Sequence, residues 1–573
     1  MKGLVRKARH VLGDPVLRRW LLRRIAGLEK SPQAFVAGQP PYLGPRRSDS
    51  SSSEYSVENL PHGNFEPPKS SIKIALPGQT VEISPVDPFA FFTQPYGDLE
   101  TFLGAHRFAW VPIEGTAVDP DWVAALWQAW ADRFGKENSD WPWHAYTAAE
   151  RAINIIDFSR RFGLPGDRGK TAALLVRHAE IIRGNLEYFG DHYTSNHLAN
   201  NGRGLLRIGT ALGRSDHAET GAKIMVAEAA RIFGRSGVLR EGSTHYHLLL
   251  TRNYIDAWLD AKSAGLEQAA MLCDIAERAL AAIPGLCLPG GIPLVGDISP
   301  DVPPAYLANL IGDIAVKGDA DQNAWPANLS DDRREEALSF IEGITAVSPD
   351  KLAEDGWHRY GGHGWQALAF VPPDGWPPMP GHGHQDLGSF ELHDGMTKVF
   401  IDPGRGTYAN TAYESAAVHN CVTIGGVGPV PVNRAYYSPG FRERIVTARP
   451  AVQRTREGAI LRRAGFQYLS GIGEVERELE FSPGYVRITD RIPGHGRRDI
   501  RRQFCTPHPG VSDGDTVVID AGTKSYRLSP GAGFTLNDIT CWSAYGEGVP
   551  GTLIVSEQRG SLPSEAVATI ERI

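Results

Sequence analysis

The chain has 573 residues, 42% of them hydrophobic and 22% charged, with a formal net charge of -7. It is too long for one hydrophobic core, so two or three domains of a soluble globular protein are expected. The charge balance speaks against a nucleic-acid binder, and an acidic polymer would need a locally basic cleft built by placement. Five scattered cysteines without a C-x-x-C pair indicate neither a disulfide framework nor a cysteine zinc site.

In chain order, residues 1 to 30 interleave basic and apolar residues and lack both an uninterrupted apolar core and a small-residue cleavage site. This is a poor signal peptide, and a cytoplasmic or membrane-peripheral location is expected over a periplasmic one. Leu17, Trp20, Leu21 and Ile25 can share one helical face ringed by Arg18, Arg19, Arg23 and Arg24. Two readings stand: a helix lying on a membrane surface, or one docked on its own domain. Residues 45 to 70 are rich in Ser and Pro, as in an exposed linker. The strand-like runs Ile72 to Leu76 and Val81 to Ile83 look too few for a sheet of their own. From Asp119 the period becomes helical, with Pro120 in the first turn and Val123, Leu126, Trp127, Trp130 and Phe134 on one face. Further helices are predicted near 145 to 162, 167 to 187, 196 to 213, 218 to 234, 245 to 263 and 266 to 283, as in a bundle, solenoid or closed toroid. After about residue 356 short alternating runs follow one another without helices between them, which predicts an antiparallel sandwich. The expected domains are 1–70, 71–355 and 356–573.

Three polar clusters can carry chemistry. In residues 191 to 209, Asn196, His197, Asn200 and Asn201 gather at a helix start. They can cap it, or Asn196 and Asn200, one turn apart, can face a common cleft with His197 beside them. In residues 239 to 254, Ser243, His245, Tyr246 and His247 precede an apolar helix. In residues 381 to 426, His382 and His384 project to one side of an extended segment, Asp402 ends a strand and His419 begins another. Histidines with a carboxylate on neighbouring strands fit a divalent metal, zinc above all, or a buried hydrogen-bonded layer. Tyr146 and Arg151 are candidates to line a cleft and bind acidic sugar.

The order N-H-x-x-N, E-x-S-x-x-Y-H, H-x-H-x-D-x-x-S-F-E-L, I-D-P-G-x-x-x-Y and H-N-x-V resembles the heparinase II/III superfamily, which includes alginate lyases. The likeness runs from about Trp141 to the C-terminus, with PLVGD at 293 to 297 and W-S-x-Y-G at 542 to 546. It implies an incomplete (α/α) toroid joined to an antiparallel β-sandwich, with the active cleft between them. By motif, Asn196 and His197 resemble residues that neutralise the uronate carboxylate, Tyr246 the catalytic tyrosine and His382 the catalytic histidine. His384, Asp402 and His419 match the ligands of one structural zinc. Related sequences often carry an Arg shortly before H-N-T-V. This chain has Glu414 and Ser415 there, and Cys421 in place of the Thr.

The chemistry agrees with that resemblance. Removing the C5 proton of a uronate builds charge beside a carboxylate, which must be neutralised by hydrogen bonds or a protonated side chain. A base takes the proton and an acid protonates the departing oxygen. Asn196 and His197 suit the first task, and Tyr246 with His382 the second. The expected partner is therefore an acidic polysaccharide cleaved by β-elimination. The alternatives are a glycoside hydrolase on the same scaffold, with Asp386 as one carboxylate of a pair, and a weakly catalytic carbohydrate-binding protein in polysaccharide assembly. The H-x-H-x-D match favours Asp386 as a support for the histidines. The sequence sets neither the oligomeric state nor the polymer.

Overall fold

The computed structural model describes residues 15–28, 36–44, 55–56, 60–136, 140–191, 193–312, 324–376, 381–431, 446 and 448–573. Residues 1–14 and, within the Ser-rich stretch, 45–54 and 57–59 lie outside the described residues. The first described helix, α1 (Pro15–Ile25), buries Trp20 but leaves Leu22 67% and Ile25 83% exposed beside Arg18, Arg19 and Arg24. Among the described residues no helix is long and apolar enough to cross a membrane.

The runs at 72 and 79 do form a sheet by themselves, contrary to expectation. Ile72–Leu76 and Gln79–Ile83 pair antiparallel around Gly78, whose φ of +74° suits the turn. Their inward residues Ile74, Leu76, Val81 and Ile83 join the helical core, and that burial holds so short a hairpin in place.

The helices that follow are α2 (Leu99–Arg107), α3 (Pro120–Phe134), α4 (Ala145–Phe162), α5 (Arg168–Gly184), α6 (His197–Ala211), α7 (Ser215–Ile232), α8 (Thr244–Ser263) and α9 (Ala269–Leu286). Asp119 caps α3 by accepting from the amides of Asp121 and Trp122 at 3.0 and 3.2 Å, and Pro120 fills its first turn. Packing follows sequence neighbours, with α4 against α5 and α6, α6 against α7, and α8 against α9. This is the pairing of an incomplete toroid. Buried charges tie the helices across its interior: Arg203 of α6 bonds Glu150 of α4 at 3.0 Å and Asp256 of α8 at 3.2 Å, and Arg207 meets Asp260 at 2.6 Å. Such pairs lose more if one partner is removed than they add as a whole, so they fix which helices meet.

The last short helix, Pro349–Glu354, is followed by the first strand of the β region, Trp357–Gly362. The described strands of this region form three antiparallel sheets. One of eight strands runs from an edge at Gly510–Asp513 to an edge at Ala451–Arg454, with Tyr485–Ile492 and Ser564–Arg572 at its centre. A four-stranded sheet sets Arg497–Thr506 between Val422–Ile424 and Glu547–Ser561. The other four-stranded sheet is sequential: Trp357–Gly362, Trp365–Phe370, Glu391–Asp394 and Thr397–Phe400. Trp365, Phe390, Leu392 and Phe400 pack with Ile488, Phe504, Ile554 and Ile570 in one core, which makes the region a sandwich.

A strap at residues 293–301 joins the two regions. Its Val295 carbonyl accepts from the Thr244 amide at 3.1 Å at the head of α8, and its Asp297 amide donates to the His382 carbonyl at 2.9 Å. The Ile298 amide donates to the Arg405 carbonyl at 3.1 Å. Gly296, at φ +79°, has no room for a side chain: a Cβ there would stand 2.6 Å from the Gly242 carbonyl oxygen and 2.8 Å from that of His382. The strap thus fixes the spacing between the start of α8 and the histidine segment of the sandwich.

Candidate active site at the junction

A cleft of about 460 Å³ opens where toroid and sandwich meet. Its wall includes Arg107, Trp141, His144, Tyr146, Glu187, Asn196, His197 and Tyr246 from the helical side. Asp297 and Asp301 of the strap, with His382, Arg405 and Tyr408 of the sandwich, close it.

Tyr246 sits in the first turn of α8 because Ser243 caps that helix. The Ser243 hydroxyl accepts from the Tyr246 amide at 3.1 Å and donates to the Asp297 carbonyl at 2.7 Å. The Tyr246 ring stacks on the His382 imidazole, with centroids 3.6 Å apart and planes at 24°. Its hydroxyl shares a 2.6 Å hydrogen bond with Tyr408. Burial pushes the Tyr246 phenol well above its ordinary range, and the Asp301 carboxylate adds to the shift. The phenol therefore holds its proton. His382 Nδ1 lies 2.6 Å from Glu241 Oε2, a contact that sets the tautomer: the neutral imidazole carries its proton on Nδ1 toward the carboxylate and has Nε2 as its acceptor.

Asn196 occupies the N-cap position of α6 without making a capping bond. The amide of His197 is served instead by the Ser195 hydroxyl at 3.2 Å. Asn196 Oδ1 is buried with no partner inside the protein. His197 Nδ1 bonds Glu187 Oε1 at 2.8 Å, and its ring lies 4.5 Å from that of Tyr146. Burial opposes a charge on His197, but Glu187 outweighs it and raises the imidazole above its ordinary range. Asn201 holds Glu187 by donating to Oε2 and accepting from its amide, each at 3.0 Å. The Tyr146 hydroxyl donates to Asp301 Oδ2 at 2.5 Å, so only its ring is open to a ligand.

Two expectations are corrected. Arg151 does not line the cleft: it is wholly buried, donating to His178 Nε2 and the His106 carbonyl at 2.9 Å each, with its guanidinium 3.7 Å above Trp130. Five residues of helix turn it about 140° from Tyr146, into the core. Asn200 is buried and absent from the cleft wall. It lies one helical turn beyond Asn196, and neither its Oδ1 nor its Nδ2 has a partner inside the protein.

His245 and His247 are structural. Each accepts a backbone amide on Nδ1, from Ser299 at 3.0 Å and Leu239 at 3.2 Å. Burial lowers them to about 3 and about 4, so both stay neutral.

Behind His382, the ligand atoms of His384, Asp386, Asp402 and His419 all lie within 4.8 Å of one another, and all four residues are buried. His384 Nε2 bonds Asp297 Oδ1 at 2.9 Å, while its Nδ1 is buried with no protein partner. His419 Nε2 bonds the Tyr413 carbonyl at 2.9 Å and turns Nδ1 to Asp402 at 3.0 Å. Each imidazole thus has its outer nitrogen held and its inner one facing carboxylates, as histidines around zinc are held. Burial lowers His419, but Asp402 and Asp386 outweigh it and lift the ring to about 9. Asp386, read from sequence as a support for the histidines, stands in the same cluster with its carboxylate among these atoms.

Several site residues carry no signal in the sequence. Glu187, Asp301 and Arg107 are ordinary charged residues until folding puts them beside an imidazole or a phenol, and Glu241, though it opens the E-x-S-x-x-Y-H motif, gives no sign there of its pairing with His382. Arg405, next to the I-D-P-G motif, bonds Glu414 at 2.7 Å, so the carboxylate that stands where relatives often have Arg ties up a cation at that edge.

Fold and site together define a protein with a helical toroid, a β-sandwich and a Tyr–His cleft at their junction. Residues 347–559 match the family described as Heparinase II/III-like, C-terminal. The match covers most of the sandwich region, and it is that region which is similar to the heparinase II/III family. The chain's fold is similar to that of Heparinase III, with a TM-score of 0.60 at 15% identity over 84% of this chain and 79% of that one. It is also similar to a heparan sulfate lyase HepC mutant from Pedobacter heparinus, with a TM-score of 0.51 at 16% identity over 84% and 78%. At these identities the likeness concerns the fold. No curated protein matches the chain in sequence.

Proposed function

We propose that the protein is a polysaccharide lyase that cleaves a uronate-containing polymer by β-elimination. The observation that carries this reading is the stacked Tyr246–His382 pair, in which one member holds a proton and the other offers a bare nitrogen. Asn196 and His197 neutralise the uronate carboxylate, which makes the C5 proton removable. His382 Nε2 takes that proton. The electron pair forms the C4–C5 double bond as the bond from C4 to the glycosidic oxygen breaks, and Tyr246 protonates the departing oxygen. Solvent then restores the two protonation states.

The carboxylates of the cleft argue against a hydrolase pair. Glu100 and Asp301 are held by Arg107, Glu187 by His197, and Asp297 by His384 and Arg405. None stands as an unengaged acid or nucleophile.

We also assign one zinc to His384, Asp386, Asp402 and His419. Its contribution is structural, tying together segments that sequence separates and, through His384 and Asp297, bracing the strap under His382. Incubation with a panel of acidic polysaccharides tests the reaction. New ultraviolet absorbance from an unsaturated uronate is expected, and reducing ends released without that chromophore would overturn the lyase assignment.

A further inference from the structure

A second concave site stands on the sandwich, outside the cleft. A cavity of about 500 Å³ forms where three stretches distant in sequence meet: Pro349 at the head of the last short helix, the hairpin of the strands Trp357–Gly362 and Trp365–Phe370, and Arg454 at the end of the edge strand Ala451–Arg454. It shares no residue with the cleft wall. One strand links the two sites: Trp365 lies at the cavity, and the Phe370 ring lies against Gly242, next to Glu241. Five residue steps of strand put roughly 17 Å between those ends.

The hairpin holds the cavity open. Its turn residues His363 and Gly364 have φ of +55° and +88°, as a two-residue turn that follows the strand twist requires. Gly361, Gly362 and Gly364 put no side chain into the space. Arg359 and Gln366 share a face, because Gln366 pairs with Gly361 and alternate residues of a strand point to one side. Arg359 Nη2 donates to Gln366 Oε1. That anchor is a neutral amide, so it aims the guanidinium without cancelling its charge. Arg454 is exposed. Burial, and then the charge of Arg454, lower His358 to about 4, which sets that guanidinium against the strand Trp357–Gly362. Among the described residues neither Arg359 nor Arg454 meets a carboxylate, and no Asp or Glu stands in the cavity wall. Elsewhere on the sandwich Arg477, Arg491 and Arg572 are each held by an Asp or Glu.

Guanidinium groups without a carboxylate partner bind oxyanions through paired, charge-assisted hydrogen bonds. Beside them the half-buried Tyr360 ring offers an apolar surface to a sugar face, and the Gln366 amide nitrogen can donate to hydroxyls. We infer that this cavity is a second, non-catalytic binding site for the acidic polysaccharide, where Arg359 and Arg454 hold sugar carboxylates of a segment outside the cleft. The choice of polymer rests on the lyase reading above. Two sites on one chain make the second contact intramolecular, so a long polymer is held more tightly than a fragment that fills the cleft alone.

The test measures binding of alginate, hyaluronan and heparan sulfate, each as long polymer and as tetrasaccharides, to the Tyr246→Phe protein with and without Arg359→Gln and Arg454→Gln. For at least one polymer the double substitution should weaken binding about fivefold or more and leave the tetrasaccharide within about twofold. With Tyr246 intact, it should raise KM for that polymer and leave kcat unchanged. Arg359→Lys with Arg454→Lys should keep most of the affinity, which a loss of packing would not allow. Arg454→Glu, at an exposed position, should by itself lower polymer affinity about threefold, and decides the matter if the double variant does not fold.

Polymer affinity unmoved in these variants, equal losses for polymer and tetrasaccharide, or no binding of any of the three polymers would overturn the inference. Retained polysaccharide affinity with lost affinity for a DNA oligonucleotide would assign the cavity to phosphates and overturn it too. Unsaturated products with polymer affinity unmoved would leave the lyase reading standing alone. Saturated products with polymer affinity lost would leave only the second site.

Discussion

Replacing Tyr246 by Phe keeps the ring that stacks on His382 at 3.6 Å and removes the hydroxyl alone. The lost oxygen is hydrogen-bonded to Tyr408 at 2.6 Å and also to Ser299, so the structural cost is that of leaving buried hydroxyls short of a bond. That is about 1–3 kcal/mol, well inside the roughly 5–15 kcal/mol by which domains are stable. The catalytic cost is larger. Asp301 already accepts from Tyr146 and Arg107, and His382 is the proposed base. The one neighbouring group able to substitute is therefore the Tyr408 phenol 2.6 Å away, and Tyr246→Phe is compared with Tyr246→Phe/Tyr408→Phe. Loss of a general acid costs about 10²–10⁴ in rate, or roughly 3–5 kcal/mol of barrier. The assay is initial-rate formation of unsaturated uronate by the purified variant, with its thermal melt and polymer affinity measured beside it. A folded Tyr246→Phe variant that binds the polymer and turns over within about threefold of the parent would refute the assignment of the acid.

Three further outcomes are expected. Glu241→Ala frees His382 to turn and to take the other tautomer, so kcat should fall roughly a hundredfold with KM little changed; an unaltered kcat would remove Glu241 from the site. His197 is raised by Glu187 against the pull of burial, with Arg107 lowering and Asp301 raising it further. Its protonated, carboxylate-neutralising form is present below that raised pKa and disappears as pH climbs through it, with His144 and Tyr146 packed alongside. Glu187→Gln should therefore move the alkaline limb of kcat/KM to lower pH, and an unmoved limb would assign it to another group. Metal analysis of protein prepared without added zinc should find about one equivalent per chain, lost in His384→Ala together with several degrees of melting temperature. No metal and an unchanged melt would leave a hydrogen-bonded polar layer.

The sequence by itself determined the classes of element and their order. Apolar residues at helical spacing from Val123 to Phe134, then alternating strands after residue 356, are local patterns, and burial of one face follows directly from them. Motif residues such as Tyr246 and His382 were also legible, because their residue types and neighbours resemble a family's. Tertiary structure decided which of the other polar residues act with them. Arg151 and Tyr146 look alike as cleft candidates in sequence, yet the helix turns one onto Trp130 and the other toward the cleft. Glu241 and His382 stand 141 positions apart and meet at 2.6 Å, and Asp297 joins His384 across 87. No local rule forecasts such pairs: they exist because Gly296 lets a strap pass between two carbonyls and draws the toroid and the sandwich together. Hydrophobic periodicity specifies faces, but the charge state of a cleft depends on which buried ions end up as neighbours, and that is a property of the folded whole.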